Sequence, residues 1–149
     1  MENLWEELND KVPNYFQALI LEYDLSIVKL NQLNTALVCP KYALIIGIDR
    51  FYADIKYISR NKDGVLVKYM INNFFSEKFD ERDRQNLIEG NGAKESIINS
   101  LIIISQGMEN KWKNVLEGDN EWIKVFEKSK WYETTKLRDY ELQLNDIID

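Results

Sequence analysis

The chain has 149 residues, 45% of them apolar and 30% charged, with a formal net charge of −6, a length and balance that suit one globular domain rather than a disordered segment. It contains no histidine and one cysteine, Cys39, which excludes Ser-His-Asp and Cys-His catalysis, imidazole or multi-thiolate zinc sites, CxxC redox centres and internal disulfides. No run approaches the roughly 18 apolar residues of a membrane-spanning helix, and the start, MENLWEELND, holds four acids and no base, so a cytoplasmic location without membrane contact is expected.

Trp5, Leu8 and Val12 recur at helical spacing, followed by Pro13, which suits a helix's first turn and not its interior. Phe16, Leu19, Ile20 and Tyr23 then form an amphipathic stripe, so one broken helix, or two, is expected before about residue 24.

From 25 to 72 the period becomes two. Ile27–Leu30, Thr35–Cys39, Tyr42–Ile48, Phe51–Ile58 and Val65–Ile71 are short β-branched or aromatic runs separated by Asn, Pro, Asp and Gly. The connections are too short for crossover helices, which predicts an antiparallel meander. Cys39, inside an apolar run, reads as a small buried thiol.

The stretch NKDG at 61–64 suits a type I turn with Gly64 in the left-handed conformation. That loop sets Asn61 opposite Val65, Tyr57 opposite Tyr69 and Ile55 opposite Ile71, so one face is wholly apolar or aromatic. A two-residue loop would instead put Lys68 and Asn72 on that face, at a large desolvation cost. Asp63 and Gly64 are therefore read as structural. A connection at Asp49–Arg50 would add Ile48, Ile46, Leu44 and Tyr42 to the apolar face. The second face then carries Ile45, Tyr52, Ile58, Leu66 and Met70 among charges, and is expected to be either covered by a helix or kept for docking.

After Phe74 and Phe75 the pattern returns to helix. Ser76 is a plausible N-cap for EKFDERDRQNLIE, which Gly90-Asn91-Gly92 ends. The alternating charges Asp80–Arg84 read as a solvated helical face. Residues 93–117 are the surest helix, with Gly118 as stop. Asp119 or Asn120 caps another bearing Trp122, Ile123 and Phe126. The spacing of Leu137, Tyr140, Leu144 and Ile147 predicts a last helix. The expected architecture is a single α+β domain over 1–149: an antiparallel β-meander of four to five strands with an N-terminal helix and a helical C-terminal half packed on one face.

Charge is uneven: −4 over residues 1–10, +3 over 11–76, −2 over 77–117 and −3 over 118–149. This disfavours nucleic acid, although Arg50, Lys56, Arg60, Lys62 and Lys68 form a potential anion patch. A protein partner with a basic face fits better, met by Glu2, Glu6, Glu7, Asp80, Glu81 and Asp83, with Trp131, in the polar stretch EKSKWYETTK, as an aromatic anchor. Trp112 and Trp122, by helical phase, belong to the core. An enzyme would have to draw on Glu22, Asp49, Asp54 or Glu95, whose spacing does not force convergence. Neither catalysis, a cofactor nor a metal site is expected.

The order of elements, an acidic N-terminal helix, the meander YALIIGIDRFYADIKYISRNKDGVLVKYMI at 42–71 and a Trp-bearing helical half, resembles the small cytoplasmic immunity proteins of bacterial polymorphic toxin–immunity systems. The resemblance covers most of the chain and implies a non-catalytic inhibitor that binds a toxin domain and occludes its active site, as a monomer or homodimer. It transfers no individual residue, because those families share no short motif. The alternative is a small acidic dimeric chaperone or adaptor for a secreted protein, with the second sheet face and the stripe Leu137, Tyr140, Leu144 and Ile147 as its dimer or client surface.

Overall fold

A computed structural model describes residues 3–149. The N-terminal stripe forms three short helices, α1 (Leu4–Asp10), α2 (Val12–Tyr15) and α3 (Gln17–Glu22). Pro13 sits in the first turn of α2, where its missing N–H costs nothing, so the chain breaks at Lys11 and continues. Leu8, Val12, Phe16 and Leu19 remain on one buried side throughout.

Six antiparallel strands follow in spatial order β1 to β6: β1 (Ser26–Lys29), β2 (Asn34–Cys39), β3 (Tyr42–Ile48), β4 (Ala53–Arg60), β5 (Leu66–Tyr69) and β6 (Thr134–Thr135). The architecture is α+β with a meander, as expected, plus one strand supplied from near the C-terminus. Cys39 ends β2 half-buried rather than within the core.

The 61–64 hairpin has the anticipated register. Tyr57 pairs with Tyr69 and Arg60 with Leu66, the Asn61 N–H donates to Val65 O, and Gly64 has φ +78°, a conformation that penalises a Cβ. The ladder stops short of Ile71, because the Ile55 N–H donates to Asn72 Oδ1 at 3.1 Å. Asn72 begins helix α4 (Asn72–Ser76).

The other hairpin turns at Arg50–Phe51, with the Asp49 N–H donating to Tyr52 O and Ile48 opposite Ala53, not at Asp49–Arg50. The shift is two residues, so every side chain keeps its face. Only Phe51 is displaced from the apolar face, and it lies 56% exposed.

Helices α5 (Ala93–Lys111), α6 (Lys113–Leu116) and α7 (Glu121–Glu127) pack with α1–α4 on the first sheet face. Phe75 and Trp112 lie 4.6 Å apart between ring centroids, and Tyr57 and Trp122 meet edge to face at 4.9 Å. Two buried polar tips are satisfied across elements: Tyr42 Oη donates to Leu116 O at 2.6 Å and Trp112 Nε1 to Phe75 O at 3.0 Å.

Two helical expectations are overturned. Ser76 ends α4 instead of capping a new helix, and the connection to α5 holds only a 3-10 turn, Glu81–Arg84. The tail is a strap, β6 followed by a 3-10 helix, Asp139–Asp146, rather than an α-helix.

This strap settles how the second sheet face is closed. Leu144 and Ile148 are buried on Ala36, Val38, Ala43, Ile45 and Ile58. Arg60 binds the strap's carbonyls, Nε to Ile148 O at 3.1 Å and Nη2 to Asn145 O at 2.8 Å. Lys68 Nζ sits 2.9 Å from each Glu141 carboxylate oxygen, both side chains being almost wholly buried. Glu141 also accepts the Arg138 N–H at 2.7 Å.

Candidate functional site

Of the residues assigned to partner binding, Glu2 lies outside the described residues. Glu7 is exposed on α1, while Glu6 is half-buried next to Trp5, whose indole N–H donates to Arg50 O. Glu81 is exposed. Trp131 is half-buried, its Nε1 donating to Glu77 Oε2 at 2.8 Å with Lys130 over the ring. Trp112 and Trp122 are core residues.

The DERDR stretch is solvated at Asp80, Glu81, Arg82 and Arg84 but not at Asp83. Asp83 is fully buried, accepting Lys111 Nζ at 2.7 Å, Asn110 Nδ2 at 2.8 Å and the Asp80 N–H at 2.8 Å. Burial pushes its pKa up, but these three donors outweigh it and hold the carboxyl below the ordinary range. Asp80 is depressed too, by Lys111 and then by the Arg82 N–H. The network staples the connection to α5, which removes Asp83 from any surface.

The anion patch also disperses. Lys68 is consumed by Glu141 and Arg60 by backbone carbonyls. Lys56 pairs with Asp54 at 3.1 Å, while Arg50 and Lys62 sit at opposite ends of β4.

A different acidic locus assembles around half-buried Tyr23. Burial raises its hydroxyl pKa, and Glu22, Glu117 and Glu109 raise it further. These carboxylates come from the last residue of α3, the C-cap of α6 and the last turn of α5, and among the described residues none is ion-paired. The local signal for them in sequence is an acid at each helix C-terminus, where a base is favoured.

The rim near the β1–β2 and β3–β4 connections is concave. A cleft of about 610 Å³ has Gly47 in its floor and Lys136 and Arg138 on its strap wall. It shares Leu33, Ile48 and Asp49 with a second depression of about 380 Å³ beside Trp5 and Glu6.

Two of the four carboxylates from which an enzyme would draw, Asp49 and Asp54, line this cleft. The Arg50 N–H and the Tyr52 hydroxyl hold Asp49 below the ordinary range, opposite to the raised pKa of a general acid. Glu95 instead accepts the Gly92 N–H at 3.0 Å at the start of α5. Among the described residues no cluster of three or more metal-ligating side chains occurs, and no helix is long and apolar enough to cross a membrane. Comparison of the chain with protein-family models, curated proteins and solved structures yields no match.

Proposed function

We propose that this protein is a non-catalytic inhibitor, an immunity protein that neutralises a bacterial toxin domain by binding its basic face and occluding its active site. The observation that carries this reading is the convergence of Glu22, Glu109 and Glu117 on Tyr23. Carboxylates at helix C-termini face the negative end of the helix dipole, and α5, with 19 residues, is the longest contributor. Among the described residues none of the three is ion-paired, so they are available to a cationic partner surface. Such a field steers encounter with a basic cleft. Half-buried Tyr23 supplies aromatic contact beside these acids.

The test is co-expression with the toxin domain encoded beside its gene. Relief of growth arrest and a co-eluting complex are expected, and neither appearing would refute the inhibitor reading. Glu22→Lys, Glu109→Lys and Glu117→Lys together should slow association about tenfold or more at low salt. Unchanged association would refute this surface. The dimeric chaperone reading keeps only part of its expected surface, since Leu144 of the C-terminal stripe is buried against the chain's own sheet while Ile147 is exposed.

A further inference from the structure

Gly47 stands mid-strand with ordinary backbone, not among the glycines of positive φ, so conformation does not require it, and glycine weakens a strand interior. Space requires it. A Cβ there would lie 2.7 Å from Asp54 Oδ1, 3.0 Å from Asn34 Oδ1 and 3.7 Å from Lys56 Nζ. Asn34 and Asp54 are its direct neighbours on β2 and β4, and both lean inward over the gap. Lys56 is tethered to Asp54 at 3.1 Å, and an ammonium has three donors, so it keeps donor capacity beyond that bond.

Lys136 and Arg138 stand on the opposite wall. Both are exposed, and neither has a carboxylate partner among the described residues. Lys68 and Glu141 cancel, and Asp54 is spent on Lys56. Asp49 alone is left to offset Lys136 and Arg138, so the cleft is locally positive in a chain of net charge −6. Met70, Leu33 and Leu137 add apolar surface to a mixed lining, and its volume of about 610 Å³ is in the range of small-molecule sites.

We infer that this cleft binds a small organic anion, a carboxylate or phosphate ester with a flat apolar body. The anionic group lies between Lys56, Lys136 and Arg138, and the body lies along Met70 and Leu137. The site is on the second face of the sheet, while Tyr23 packs with the core of the first, so it stands independently of the toxin-binding surface.

The test is amide chemical-shift mapping on the ¹⁵N-labelled full chain with phenyl phosphate and benzoate as probes and benzylamine as the cationic control. Saturable shifts at Gly47, Lys56, Thr135 and Arg138 are expected with the anions alone. Affinity should fall about tenfold or more in the Lys136→Glu, Arg138→Glu variant, whose exposed substitutions leave the α5 resonances in place. Absence of saturable shifts up to about 10 mM, shifts that persist in the variant, or benzylamine saturating the same amides would each overturn the assignment.

Discussion

Breaking the buried pair between Lys68 and Glu141 should cost far more than deleting it. Nζ lies 2.9 Å from both oxygens and the side chains are 5% and 1% exposed. At an effective dielectric of about 20, that separation gives about 6 kcal/mol of gross attraction. Desolvation of two ions, at several kcal/mol each, offsets much of it. Glu141→Leu leaves an ammonium buried without a counter-charge and should lose about 3–5 kcal/mol, as should Lys68→Met. That is a large part of the roughly 5–15 kcal/mol that holds an ordinary domain together. The double variant Lys68→Met, Glu141→Leu removes both charges and should return to within about 2 kcal/mol of the parent. The assay is urea unfolding of all four proteins, followed by circular dichroism and tryptophan fluorescence, with coupling read from the double-mutant cycle. Additive losses, or single losses below about 1 kcal/mol as for exposed pairs, would refute the seating of the strap described above.

Further predictions concern the polar and steric fittings of the core. Asp83 is held below the ordinary carboxylate value, so its stabilisation is present at neutral pH and is lost as pH falls through the depressed value. Asp83→Asn should cost about 2 kcal/mol at pH 7 and flatten the urea-midpoint profile below about pH 4; an unaltered acid limb would contradict the network. Burial is the main cause pushing the Tyr42 hydroxyl far above its usual range, so its contribution is present below the ordinary tyrosine value and fades as pH rises towards the raised one. Tyr42→Phe, by orphaning Leu116 O, should cost about 1–2 kcal/mol at pH 7 and show a smaller fractional loss on alkaline titration. A methyl on Gly107 would meet the Phe79 ring, so Gly107→Ala should lower stability by about 1–3 kcal/mol in thermal melts, with partial recovery on adding Phe79→Leu.

Sequence reasoning carried furthest where the determinants are local. The NKDG turn, the parity of β4 and β5 and the burial of Trp112 and Trp122 each follow from neighbours within a few residues. The slip at 49–52 was harmless because a two-residue shift preserves parity. Local patterns misled where the partner is distant. Asp83 alternates with bases like any surface charge, and its burial depends on Lys111, 28 residues on. Leu137, Tyr140 and Leu144 fit a 3.6 period, yet the chain takes the tighter 3-10 turn from Asp139 onward, and β6 is too short to show alternation. Of the expected binding residues, Glu7, Asp80 and Glu81 are at the surface, whereas the acids near Tyr23 come from three separate helix ends. Only the tertiary fold brings those ends together.

The strap has a bearing on synthesis. Strands β1 to β5 pair with sequence neighbours, so the sheet is free to form while the last residues are still being made. Until then Ala36, Val38, Ala43, Ile45 and Ile58 present a bare greasy patch, and β5 shows an open hydrogen-bonding edge, features that invite self-association. Closure waits for contacts spanning 73 residues, from Lys68 to Glu141. A nascent chain stalled shortly before residue 134 is thus the species most in need of a chaperone.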